Sequence, residues 1–158
     1  MLSPLVVIDM QESYAHTGNK TLLKNVVKHV REAKKAKVPI IIVEFANYGE
    51  TRNEIMKLLR KRYKNHVVVQ KHACNGSPEV KKVLEKDFGI LAPATLNLCG
   101  VFTQDCVAKT AKGLVEKGFE INVIEEACYA NKYDHVAQVE TWEQSGTVNV
   151  VCKGPDWR

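Results

Sequence analysis

Three residues of this chain combine types that support covalent catalysis: Asp9, Lys71 and Cys106. A thiolate is the reactive form of cysteine, and a carboxylate within reach accepts its proton and returns it. An ammonium beside both holds the charge. Thr103 is placed to cap a helix, so Cys106 falls near its third position. There, unpaired amides and the positive end of the dipole favour a thiolate, and a nearby Lys71 lowers its pKa further. Each residue also has an ordinary reading: a turn or cap for Asp9, a solvated loop for Lys71, helix packing for Cys106. Cys99 and Cys152 sit in or at the end of apolar strands and read as core, while Cys74 and Cys128 read as loop thiols. His16 and His72 are near the candidate loops but lack spaced carboxylate partners, so they read as polar surface groups rather than ligands.

The elements that must position these residues follow from hydrophobic pattern. The apolar runs at 5–8, 40–43, 67–69, 95–99, 121–124 and 148–151 are short and uninterrupted, as in strands buried on both faces. Between the first two, Leu22, Leu23, Val26, Val27, Val30 and Ala33 form one helical face, opposed by lysines. A weaker helix is expected around 54–62. Ser77-Pro78-Glu79 reads as a cap, a first-turn proline and a first-turn acid, with Gly89 as the stop. Further helices are expected from about Gln104 to Gly118 and over 134–144. Six buried strands alternating with helices predict a single α/β domain over residues 1–158. It is a Rossmann-like three-layer α/β/α sandwich around a parallel sheet. Ligands of such sheets bind beyond the carboxyl ends of the strands, which is where Asp9, Lys71 and Cys106 fall.

Composition narrows the function classes. The chain has 158 residues, 45% hydrophobic and 26% charged, which suits one globular domain. No apolar run approaches the ~18 residues a membrane helix needs, and the N-terminus lacks a secretory pattern. Lys and Arg total 23 against 18 Asp and Glu, a net charge of +5. The lysine clusters at 20–37, 57–64 and 81–86 read as solvated helix faces. No aromatic-interleaved basic motif points to nucleic acid. Five cysteines without a CxxC pair fit reduced thiols in a cytoplasmic setting, not a disulfide frame or a structural zinc site. The expectation is a small-molecule substrate, with neither nucleic acid nor membrane as partner. A nucleotide-binding Rossmann domain fails because neither GxGxxG nor GxxxxGK[ST] occurs.

Several segments resemble the isochorismatase-like cysteine hydrolases, the superfamily of nicotinamidases and N-carbamoylsarcosine amidohydrolases. Val7-Ile8-Asp9-Met10-Gln11 is similar to the family's opening strand end. Residues 100–111, Gly-Val-Phe-Thr-Gln-Asp-Cys-Val-Ala-Lys-Thr-Ala, resemble its nucleophile signature, and 117–127 continue the pattern. Lys71, shortly before Asn75-Gly76, is similar to the family lysine. The resemblance runs from about residue 5 to 152 and implies strand order 3-2-1-4-5-6 and an Asp9–Lys71–Cys106 triad. It also implies a cis Val101–Phe102 peptide that turns the Phe102 amide beside that of Cys106 as an oxyanion hole. The implied reaction is hydrolysis of an amide, ureido or carbamoyl C–N bond through a thioester, by a homodimer or homotetramer without a cofactor.

Departures from the family pattern refine this. Glu44-Phe45-Ala46-Asn47 lacks the Asp-x-His of metal-dependent nicotinamidases, so no metal is expected and nicotinamide is disfavoured. Cys106 argues against the vinyl-ether chemistry of isochorismatases proper. Ser77 replaces a common aromatic, implying a rebuilt pocket wall, and the short chain implies trimmed lid loops. Tyr14, Phe45, Asn47 and Phe102 are the candidate pocket lining. A catalytically idle binding or scaffold protein of the same fold is the alternative.

Overall fold

The computed structural model describes residues 3–154. Six parallel strands form one sheet: β1 (Leu5–Ile8), β2 (Ile40–Phe45), β3 (His66–Lys71), β4 (Thr95–Val101), β5 (Glu120–Tyr129) and β6 (Asn149–Val151). Their order is β3-β2-β1-β4-β5-β6, as the resemblance implies. The central strand β1 is wholly buried, with Leu5 opposite Ile40 and Asn97, and Ile8 opposite Val43 and Gly100. That register brings the ends of β1, β2 and β4 level. The chain reverses direction of order at β1, so the crevice expected of a doubly wound sheet opens beside Asp9.

Helices α1 (Lys20–Lys35) and α2 (Asn53–Met56) pack together in one layer. In the other, α3 (Ser77–Phe88) packs on α4 (Ala108–Glu116), and α5 (Lys132–Ser145) shares a groove with α4. Leu22, Val26, Val30 and Ala33 form the buried stripe of α1. Asn19 caps this helix by accepting from the Leu22 amide at 3.0 Å, so it starts at Lys20. Gly89 and Gly146 end α3 and α5 in the left-handed conformation, at φ 63 and φ 66. Among the described residues, no helix is long and apolar enough to cross a membrane.

Five expectations change. The helix around 54–62 shrinks to α2 and a 3₁₀ turn at Arg60–Arg62, where basic residues crowd without acids one turn away. Gly76, not Ser77, is the cap residue of α3, and a side chain at 76 would put its Cβ 2.9 Å from Lys71 Cδ. β5 runs ten residues rather than four. A register shift carries it past the polar Glu125, whose buried carboxylate faces His135 at 4.0 Å and the Gly154 amide at 3.3 Å. Cys152 is exposed just past β6 rather than core, at φ 48, and Cys128 is buried in β5 rather than in a loop, while Cys99 is buried in β4 as expected.

Candidate active site

Asp9 follows β1 at φ 54, in the left-handed region, with its amide donating to Val43 O at 2.9 Å. Its side chain is buried at 3% exposure. Lys71 is the last residue of β3, in register with Phe45, and wholly buried rather than in a solvated loop. A buried lysine is tolerated only when its charge and three donors are satisfied. Here Nζ lies 3.2 Å from Asp9 Oδ2, 3.3 Å from Cys106 Sγ and 3.0 Å from Ala73 O. It also sits 4.1 Å from the centroid of the Phe45 ring, a cation–π contact.

Cys106 belongs to a π-helical turn at Thr103–Val107 that precedes α4. Such turns are uncommon and cluster at functional sites. Phe102 rather than Thr103 begins it: the Phe102 carbonyl accepts from Asp105 N at 3.0 Å and Val107 N at 3.2 Å. Thr103 is occupied elsewhere, its hydroxyl 2.8 Å from His135 Nδ1 and both side chains buried. The Val101–Phe102 peptide is cis. Gly100, at φ 125, lets β4 pass β1; a Cβ there would lie 2.0 Å from Ile8 O.

The electrostatics differ from the sequence expectation. Burial pushes the Cys106 thiol up, the Asp9 carboxylate pushes it further, and Lys71 only partly opposes them. Burial also raises Asp9 above its ordinary 3.8, against the Cys106 thiol and the Lys71 ammonium. Cys106 is therefore held as a thiol beside Asp9, with the Lys71 amine set between the two. Asp9 Oδ1 meets no donor of good hydrogen-bond geometry, although the carboxylate feels the thiol, so the proton of Cys106 has a receiving oxygen at hand.

Aromatic rings wall this cluster. Phe45 meets Tyr48 edge-on at 5.3 Å, Tyr48 stacks on Tyr14 at 5.7 Å, and Tyr14 meets Phe102 edge-on at 6.3 Å. His16 continues the row against Phe102 at 5.5 Å and Tyr129 at 5.6 Å. Burial and the nearby Asp9 and Cys106 push the Tyr14 phenol up to about 12, so it stays protonated. A cavity of about 330 Å³ abuts the site through Phe102, lined also by His16, Gln104, Asp105, Tyr129 and Asn131. Asp9, Lys71 and Cys106 are not among its lining residues.

Of the candidate lining, Tyr14, Phe45 and Phe102 join one wall, whereas Asn47 supplies a left-handed turn at φ 69. His16 and His72 are both exposed, as expected of surface groups, but His16 also packs its ring on Phe102 and Tyr129, a role its lone position in sequence did not signal. Ser77 is not a pocket residue. It is buried against α4, where a Cβ on Gly113 would lie 2.2 Å from its Oγ, and that tight fit excludes an aromatic.

Sequence reasoning also missed the residues that hold the 46–51 loop. Gln11 accepts from Phe45 N at 2.7 Å and donates to Phe45 O and Gly49 O at 3.0 and 2.8 Å. Glu44 accepts from Thr51 N, Thr51 Oγ1 and Gln70 Nε2, each at 2.7 Å.

A family model described as an isochorismatase domain matches residues 3–152. Isochorismatase domain-containing protein 2 of Xenopus laevis is 24% identical over 169 residues, covering 96% of this chain and 73% of its own. The MAR1 ribonuclease of Caenorhabditis elegans superposes with a TM-score of 0.79 at 21% identity, over 95% of this chain and 77% of that one. N-carbamoylsarcosine amidase of Thermoplasma acidophilum gives 0.76 at 19% identity, over 95% of each chain. These two likenesses speak to fold alone. The family match spans nearly the whole described chain: the protein belongs to the isochorismatase family, whose members are typically hydrolases acting on C–N or related bonds.

Proposed function

We propose that this protein is a cysteine hydrolase that cleaves an amide, ureido or carbamoyl C–N bond of a small molecule, with Asp9, Lys71 and Cys106 as its catalytic residues. The observation that carries the reading is Lys71 Nζ set 3.2 Å from Asp9 and 3.3 Å from Cys106, all three side chains being withdrawn from water.

In this reading Asp9 takes the Cys106 proton as the sulfur attacks the substrate carbonyl, forming a C–S bond. The Phe102 and Cys106 amides receive the oxyanion. Asp9 then passes its proton to the nitrogen, the C–N bond breaks, and ammonia or an amine leaves a thioester. A water, giving its proton to Asp9, attacks the thioester; the acid is released and the sulfur regains the proton. Lys71 neutralises whichever of the two groups is anionic and so keeps the exchange of charge inexpensive. The aromatic row from Phe45 to Tyr129 suits a flat, apolar substrate body.

No step runs through a metal. The carboxylate at the end of β2, Glu44, already accepts three hydrogen bonds from Thr51 and Gln70, and no imidazole stands beside it in the Glu44-Phe45-Ala46-Asn47 segment. The five unpaired cysteines support a reducing compartment.

An ammonia-release screen of small primary amides, ureido acids and carbamoyl compounds tests the reading, with Cys106→Ala beside the wild type. Turnover that Cys106→Ala abolishes, with an acyl adduct on Cys106 seen by mass spectrometry, is expected. Release unaffected by Cys106→Ala overturns it. Failure of every compound, with no adduct, favours the idle binding protein.

A further inference from the structure

A second cluster of reactive side chains lies on the α1 side of the sheet, in residues the proposed reaction does not use. His29 on α1, Glu126 on β5 and Cys152 just past β6 each present one donor atom, and these atoms all lie within 4.8 Å of one another. Their spacing is already near that of a metal site. Zinc–sulfur and zinc–nitrogen bonds of about 2.3 and 2.0 Å put neighbouring ligands roughly 3–4 Å apart in a tetrahedron. His29 Nε2 is 2.7 Å from Glu126 Oε1, and the remaining adjustment falls to Cys152, an exposed residue at the end of its strand.

The surroundings favour ligation over a plain ion pair. His29 sits in the buried stripe of α1, its side chain 10% exposed, and Glu126 is 19% exposed, so neither is a freely solvated surface group. The other ring nitrogen of His29, Nδ1, lies 3.4 Å from Glu32 Oε2. A carboxylate on the distal nitrogen is the usual partner of a metal-bound histidine, fixing its tautomer and orientation. The backbone of the cluster is tied down as well. Asn25 Nδ2 donates to Glu126 O at 2.8 Å, and the Glu126 amide donates to Cys152 O at 3.0 Å. Cys152 itself holds φ 48, a conformation that residues other than glycine adopt only under constraint. Among the described residues the cation that competes for Glu126 is Lys28, whose Nζ is 2.8 Å away; its side chain is 50% exposed and free to swing into water.

We propose that His29, Glu126 and Cys152 form a binding site for a borderline-soft divalent cation of the zinc class. The donor set determines that class: one sulfur, one imidazole nitrogen and one carboxylate oxygen suit zinc or cobalt, whereas magnesium and calcium call for oxygen alone. Three protein ligands leave the fourth position to water. The ion would tie α1, β5 and the chain leaving β6 together, clamping the three-residue edge strand to the sheet. It is independent of the cysteine chemistry at Cys106.

Cobalt(II) titration of the full chain tests this, because a cobalt–thiolate bond gives a charge-transfer band in the near ultraviolet. One equivalent is expected to bind with that band in the wild type and in Cys106→Ser. Cys152→Ser loses the band, and His29→Gln binds at least about tenfold more weakly. Lys28→Met frees Glu126 and tightens binding up to about fivefold. Zinc at a hundredfold excess over its Kd raises the wild-type Tm by about 5–10 °C and leaves that of Cys152→Ser unchanged. Cys152 is exposed, so its variant retains the fold, and circular dichroism of each variant verifies this. A band that survives Cys152→Ser, a band lost in Cys106→Ser instead, or no band in the wild type overturns the proposal.

Discussion

Asp9→Asn separates two properties that are often assumed to move together, the reactivity of the nucleophile and the turnover it supports. The pocket holds one buried ammonium, and Asp9 and Cys106 compete to supply its counter-charge. In the wild type the carboxylate wins, and its charge is among the causes that hold the thiol up. Asparagine keeps the shape and removes the charge, leaving Lys71 Nζ 3.3 Å from a sulfur that is now the natural anion. At an effective dielectric near 20, a unit charge about 4 Å away is worth about 4 kcal/mol. Thiolate nucleophilicity falls with its basicity, so roughly half of the logarithmic gain reaches the rate. Iodoacetamide should therefore alkylate Cys106 about 10–100-fold faster at pH 7 in Asp9→Asn than in the wild type. Turnover, which needs a group to accept and return the proton, should fall by about 10²–10⁴. The assay is mass-spectrometric peptide mapping over time, which resolves Cys106 from the exposed Cys152. Slower or unchanged alkylation in Asp9→Asn would refute the charge-competition argument.

Further predictions rest on single contacts. Lys71→Met leaves the buried Asp9 without its ammonium. Because the folded pKa of Asp9 lies above its ordinary 3.8, the stability linked to its protonation is full below that value and lost as pH rises through the folded pKa. Urea unfolding should show variant and wild type converging near pH 4 and separating by about 3–5 kcal/mol at pH 7; a constant gap across that range would contradict this. Gly100→Ala forces a Cβ to 2.0 Å from Ile8 O at φ 125 and should cost at least about 3 kcal/mol, or yield insoluble protein. Glu44→Ala strands the buried Thr51 donors, with an expected loss of about 1–3 kcal/mol. Hydrogen exchange should then accelerate in residues 46–51 while β1 and β4 stay protected.

The parts of the fold that could be read directly are those where one local rule is enough. Leu5–Ile8 and Ile40–Val43 are unbroken apolar runs, and only a sheet covered on both faces hides such strands. The far end of β5 was not legible because Glu125 and Glu126 break the apolar pattern. Their partners, His135, Gly154, Lys28 and His29, come from distant segments. Cys152 misled for the opposite reason: it extends an apolar run but lies where the edge strand has ended. The rings around the site follow the same division. Phe45 and Phe102 stand at the ends of β2 and β4, whereas Tyr14, His16 and Tyr48 lie in the loops beyond the strands and join them through tertiary packing, and Tyr129 closes the part of β5 that the pattern did not reveal.

That Asp9, Lys71 and Cys106 meet at one end of the sheet was legible, but their charge state was not. From sequence, a cysteine in the first turn of a helix beside a lysine reads as a thiolate. The helix terminus offers it about 0.3–1 kcal/mol, at most about 2, and here that terminus is a five-residue π-helical turn. Removing an anion from water costs several kcal/mol even after relaxation. Two acids share one ammonium in a site closed to solvent, so only one of them can be charged at rest, and it is the intrinsically stronger acid, Asp9. In the proposed reaction the arrangement keeps Cys106 a thiol, a poor target for oxidants, until an arriving carbonyl offers the sulfur a bond and its proton moves to Asp9. Nucleophile activation then belongs to the encounter with substrate, and Lys71 makes it feasible because its charge serves either anion without moving.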